Sequence, residues 1–232
     1  MKGLASSMTA VGTAMSVYGI ERAASYVMEL GRMGAASLRL KTSFDQLAKS
    51  HQSNSEAILS ALKTASQGTI SETDLILGAN RAMMLGLSSN ATELAQLMEV
   101  AAFRARAMGI TTTQAWDNIV TGIGRKSPLI LDNLGIVGLK MDDTTSKAEI
   151  MSQVIVEGQK QIAEAGGLTV DAAAQFEQLD AKIAALNTRW AELVAVPATT
   201  KTVDFIINGL EGWEKAVTAV QAMKDLTGGI GG

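Results

Sequence analysis

The chain of 232 residues contains no cysteine, one histidine and two prolines, and only 4% of it is aromatic. Without cysteine there are no disulfides and no thiolate metal sites, and His51 alone cannot build a histidine cluster around a metal. A Ser/His/acid triad would depend on the same His51, which stands in the polar stretch SHQSNS, a turn context. With 47% apolar residues and few rings, the core has to be made from Ala, Leu, Ile, Val and Met at close helix spacing. Twelve methionines add adaptable packing surface.

Concentrated charge is missing too. The net charge is −3, divided between residues 1–128 (12 Lys/Arg against 9 Asp/Glu, +3) and residues 129–232 (8 against 14, −6). Neither part is basic enough to grip DNA phosphates without regard to sequence, so no specific nucleic-acid binding is expected. Residues 3–20 carry no charge, which invites a signal-peptide or membrane-span reading, but Gly, Ser and Thr occupy eight of those positions. A helix with a small-residue packing face fits that composition better.

What is present is helix grammar. Leu4, Met8, Val11, Met15 and Tyr18 form a stripe that resumes at Tyr26 and Leu30; Gly31 and Gly34 weaken it before a second stretch with Leu38, Leu40, Phe44 and Leu47. From Ser53 the spacing of a capping box recurs, as Ser53 with Glu56, Thr69 with Glu72, Asn90 with Glu93, Thr111 with Gln114 and Ser146 with Glu149. The stops are Gly68, Gly86, Gly109, Gly135 and the pair Gly166 and Gly167, most followed by an apolar residue, as a Schellman turn prefers. These signals predict helices near 54–66, 71–85, 91–108, 112–122, 128–134 and 147–165, with Phe103 and Trp116 as aromatic anchors.

One stretch, VTGIGRKSPLILDNLGIVG at 120–138, departs from this grammar. Gly122, Gly124, Arg125 and Lys126 are expected together to break the preceding helix, which places the two cations near its terminal carbonyls, where the helix dipole favours them. Ser127 reads as an N-cap, Pro128 as the first residue of a two-turn helix, and Gly135 as its left-handed C′ residue. Residues 129–139 could instead form a small hairpin turning at Asp132 and Asn133; the proline cap favours helix. A phosphate loop is excluded, because that motif needs glycine directly before lysine and Arg125 stands there. Arg125, Lys126, Ser127, Pro128, Asp132, Asn133 and Gly135 are the candidate interaction residues.

In the last third, Phe176, Leu179, Ile183, Leu186, Trp190 and Leu193 step by 3 and 4, a heptad seam. After Pro197 the rhythm returns in Val203, Ile206, Leu210, Trp213, Val217 and Val220. Two helices joined near 197–200 as an antiparallel hairpin, or one kinked helix, are expected, with Leu186 between packed helices and Gln178 on the solvent face. The fold class is all-α, a glycine-punctuated multi-helix bundle ending in a heptad hairpin, in segments 1–52, 53–141 and 142–232.

Catalysis finds little support. Asp142 with Asp143 and Glu211 with Glu214 lie among cap or solvent-face residues, Asp143 being expected to help cap the next helix, and no pair offers one carboxyl in an apolar pocket and one beside a polar wall. Arg104, Arg106, Arg125 and Lys126 could form a weak surface for an anionic partner, against a plain solvated face. No enzyme, cofactor or metal is expected.

The words GTISETDLILGANRAMMLGL, MEVAAFRARAMG, TTTQAWDNIVTGIGRKSP and ILDNLGI, in that order over 54–140, resemble the helical core of tail tape measure proteins from tailed bacteriophages and prophages. Residues 172–225, with LNTRWAEL before a proline and another helix, are similar to the region that follows. Together the two cover over half of the chain. Members of that family are usually much longer, which makes this chain an excerpt, a truncated prophage copy or a distinct short relative. The resemblance implies a structural protein of the virion tail lumen, present in the host cytoplasm during assembly, that helps to set tail length and leaves the tail when DNA is delivered. It implies tail tube and tail tip proteins and tail assembly chaperones as partners. Self-association through the heptad helices would follow from their pattern. Two other readings stay open: a membrane-active helical protein contacting the host envelope through residues 3–20 and the Met-rich helices, and a wall-degrading enzyme, for which no acid can be assigned.

Overall fold

A computed structural model describes residue 25 and residues 28–195. The protein is all-α, with no strand among the described residues. Its helices are α1 (28–50), α2 (Ser55–Ala65), α3 (Glu72–Met84), α4 (Ala91–Met108), α5 (Thr112–Gly124), α6 (Pro128–Asp132), α7 (Lys147–Glu164) and α8 (Ala172–Ala195). The stripe at 4–18 and the second heptad stretch at 203–220 lie outside the described residues. Residues 37–188 form one compact unit, and the described residues 28–36 and 189–195 belong to a second. α1 runs unbroken through Gly31 and Gly34, so these two glycines do not divide it.

The local signals act as hydrogen bonds. Thr111 and Ser146 each make the full reciprocal capping box, with Gln114 and Glu149. Asn90 accepts from the Thr92 and Glu93 amides, but the Glu93 carboxylate turns to the Ser88 hydroxyl at 2.5 Å. Two starts are displaced. Asn54, not Ser53, caps α2, and Ser71, not Thr69, caps α3. The displaced hydroxyls bond elsewhere: Ser53 donates to the Ser89 carbonyl at 2.6 Å and buried Thr69 to the Ser66 carbonyl at 2.7 Å.

α4 is the centre. It packs on α2, α5 and α7, and its buried residues Leu94, Leu97, Met98, Val100, Ala101, Ala102, Arg104 and Ala105 cover a face about 200° wide, with Gln96, Glu99, Phe103 and Arg106 half-buried on the other side. A buried face that wide needs more than one neighbour to cover it, and the alanines let those neighbours come close. Four glycines inside helices serve the same end. Gly78 faces Trp116, Gly122 faces Leu131, Gly124 faces Leu85 and Gly158 faces Val100, each too closely for a β-carbon; at Gly122 it would stand 2.7 Å from Leu131 Cδ2. The expected break does fall in this run, with Arg125 as the C-cap, but Gly122 and Gly124 themselves still belong to α5. They lie within it, shaped for what packs on them.

α8 inverts the expected amphipathic arrangement. Ala174 and Ala191 are buried, and Ala181, Ala184 and Ala185 half-buried, whereas every large residue of the seam is exposed: Phe176 by 70%, Leu186 by 57% and Trp190 by 64%. Leu186 is therefore not enclosed between helices as expected. Gln178 is not a free solvent residue either, since its amide donates to the Gln67 carbonyl at 2.8 Å. Beside it, Glu177 accepts from the Thr112 hydroxyl at 2.9 Å, placing a carboxylate at the N-terminus of α5.

Candidate interaction elbow

α5 ends at Gly124, and the residue that reverses the chain is Lys126, with φ +49. The Ser127 amide reaches back to the Gly122 carbonyl at 2.8 Å and the Lys126 amide to Ile123 at 3.0 Å, the paired bonds of a Schellman turn. A side chain in the left-handed region costs roughly 1–2 kcal/mol, so the backbone strain sits on a cation rather than on the glycines before it. Lys126 Nζ donates to the Asp143 carbonyl at 3.3 Å. Arg125 is exposed.

Ser127 holds the N-cap position of α6, but its side chain caps nothing; the work of starting the helix falls to Pro128 at N1. Leu131 fills the notch at Gly122, and Leu134 and Ile136 are buried. Gly135, at φ +71, lets the Ile136 amide return to the Leu131 carbonyl at 3.0 Å, which closes the short helix. No hairpin forms at 129–139. Leu129, Asp132, Asn133 and Val137 stay exposed around this buried anchor.

The segment after the elbow is tied down by side chains. The Gln153 amide pairs with both backbone groups of Lys140, accepting from its N–H at 2.8 Å and donating to its carbonyl at 3.2 Å. The Asp142 carboxylate accepts from the amides and hydroxyls of Thr144 and Thr145, which holds its pKa down at about 2, the Thr144 side chain contributing most. Asp142, not Asp143, thus shapes the turn before α7, and Ser146 caps that helix. The Ser146 amide and hydroxyl likewise lower the Glu149 carboxyl. Lys147 Nζ donates to the Leu85 carbonyl at 2.7 Å, a cation on the end of α3. Two open grooves follow this segment. One of about 290 Å³ is lined by Val137, Leu139, Gln153 and Val156, and one of about 410 Å³ by Lys140, Asp142, Thr145 and Glu149.

The four cations do not form one surface. Arg104 is buried under Gly135 and donates to Gln161; burial pushes its pKa down, with Glu157 opposing, and its Nε has no partner. Arg106 donates to the Gln67 side chain at 2.5 Å, while Gln67, at φ +55, uses its carbonyl to hold Gln178. Both arginines are internal fasteners. Only Arg125 and Lys126 of the four belong to the elbow.

Asp142 and Glu149 are both pushed toward ionisation by the hydrogen bonds of their own turns. No three metal-ligating side chains gather among the described residues, and no described helix is long and apolar enough to cross a membrane. No protein-family model, curated protein or solved structure matches the chain.

Proposed function

We propose that the chain is a structural component of a phage or prophage tail, of the tape-measure kind, and that residues 37–188 act in it as a folded docking module. The observation that carries this reading is the use made of the most specific words of the sequence. GRKSPLILDNLG is folded as a fixed elbow whose apolar residues anchor it on α5, while Arg125, Pro128, Leu129, Asp132 and Asn133 face outward. A segment needed only for the core would not turn so much of its specific chemistry to solvent. Tail tube and tip proteins and tail assembly chaperones are the partners this reading supplies, with the tail lumen as location and a part in tail length and genome delivery as role.

A continuous ruler is a poorer fit for this part of the chain. Fully helical, 232 residues would span about 350 Å at 1.5 Å per residue. The longest described helix, α8, has 24 residues, or about 36 Å, and α2 to α7 fold onto one another.

Mass spectrometry of purified tails tests the reading directly; tails without this chain would end it. Deleting 120–138 would be a poor second test, since it removes buried Val120, Ile123, Leu131, Leu134 and Ile136. The substitutions Arg125→Glu and Asp132→Lys on the exposed rim are cleaner. They are expected to leave the melting temperature within about 1–2 °C and to abolish tail formation or infectivity. Infectious phage with normal tails from both variants would refute the docking role.

A further inference from the structure

The two grooves that follow the elbow are one trough. Ser152 and Gln153 line both, so the groove of about 290 Å³ at Val137, Leu139 and Val156 runs on into the groove of about 410 Å³ at Lys140, Asp142 and Glu149. Its ends differ in chemistry. At one, Val137 and Val156 come from two separate segments and are exposed by 59% and 67%. At the other, Asp142 and Glu149 are exposed carboxylates, and hydrogen bonds from Thr144, Thr145 and Ser146 keep both charged. Glu157 adds a third acid to the lining, against Lys140. Lys126 lies near the acidic end, with its Nζ turned to the Asp143 carbonyl.

The wall of the trough is fixed before anything binds. Gln153 grips both backbone groups of Lys140, and Asp142 holds the amides and hydroxyls of the turn that follows. A preformed surface spares a ligand the cost of ordering it. Along the apolar end, the backbone groups of Val137, Gly138 and Leu139 find no partner among the described residues. A site this open encloses too little of a small molecule, but it suits a chain that brings backbone donors and acceptors of its own. Its acids turn away phosphates, whether of nucleic acid or of lipid, and draw in cations.

We infer that the trough takes an extended basic segment of a partner protein, with an aliphatic side chain between Val137 and Val156 and a lysine or arginine at Asp142 and Glu149. Glu149 and Val156 stand about 10 Å apart along α7 at 1.5 Å per residue. Extended chain covers that distance in about three residues, which sets the spacing between the aliphatic residue and the cation. The trough is separate from the rim at Arg125 and Asp132, and the inference does not need the tail reading: peptide binding can hold for a chain absent from tails, and fail for one present in them.

Fluorescence polarisation tests it, with the full chain titrated into a labelled peptide reading Gly-Ser-Leu-Ser-Gly-Arg-Ser-Gly. Saturable binding is expected, and replacing the peptide's arginine by glutamate should weaken it at least about fivefold. In the chain, Val156→Ser and Glu149→Gln should each weaken it about threefold to fivefold. Both variants should fold, since Val156 is exposed and glutamine already serves in the capping box of α5. No saturation up to about 1 mM chain would overturn the inference. Equal binding of the glutamate peptide, or binding unchanged in both variants, would overturn it too. Sedimentation showing the chain paired with itself, and unpaired by Val156→Ser, would give the trough to a second copy and overturn it as well.

Discussion

Gly78 of α3 lies against the indole of Trp116 in α5, so near that a β-carbon on the glycine would stand 2.8 Å from Trp116 Cδ1, with the indole nitrogen nearer still. Helix propensity alone would favour alanine there by about 1 kcal/mol, while overpacking typically costs about 1–3 kcal/mol and here meets a rigid ring.

The steric term should win. Gly78→Ala is expected to destabilise by on the order of 1–2 kcal/mol in urea unfolding. Combined with Trp116→Leu, it should cost less than the sum of the single changes, by about 1 kcal/mol. Strict additivity would mean that the two residues do not press on each other.

Lys126 carries the strain of the elbow. Lys126→Gly is expected to raise stability by about 0.5–1 kcal/mol, despite losing the contact to Asp143, because glycine adopts the left-handed region without penalty. Lys126→Val should lower it. Thermal melts that rank the two variants the other way would show that the Lys126 side chain, not its backbone, holds the turn.

Arg104 and Gln161 form an asymmetric pair. Removing the buried guanidinium as Arg104→Met should be neutral or stabilising by up to about 1–2 kcal/mol, since the group is desolvated and incompletely bonded. Removing its acceptor as Gln161→Leu should cost about 1–3 kcal/mol, leaving a charge with less to bond. Chemical denaturation of both variants decides the matter; equal losses would indicate that the hydrogen bond itself is the main contribution.

Asp142 and Glu149 make the unit acid-sensitive. Both have folded pKa values below their ordinary ones, Asp142 at about 2 against 3.8. Their contribution is therefore complete above the unfolded values and is lost as pH falls from about 5 toward 2. Urea midpoints measured across that range should fall, and Asp142→Asn should flatten the fall. A variant as acid-sensitive as the parent would assign the loss to other carboxylates.

The helices were legible because their signals are local. Thr111 with Gln114 and Ser146 with Glu149 need nothing beyond four consecutive residues to specify a start. Where the sequence misled, the deciding partner was distant. Ser53 looks like a cap but is engaged by Ser89, and Gly122 looks like a stop until Leu131 is placed on it. In the elbow, Pro128 and Gly135 could be read directly. The left-handed Lys126, the buried Arg104 and the Gln153 pairing with Lys140 could not, since each depends on which helix lies opposite. The α8 seam was visible as a rhythm, but rhythm does not say which of two faces turns outward.

The enclosure of α4 has a consequence for synthesis. Its partner α2 is made before it, but α7, whose Gly158 receives Val100, is complete only at Glu164, 56 residues after α4 ends at Met108. At about 5–20 residues per second, the Val100 side of a finished central helix waits about 3–11 s on the ribosome before its cover exists. Between Met108 and Glu164 the nascent chain is thus adhesive on that side, and completion of the helix that carries Gly158 ends the interval.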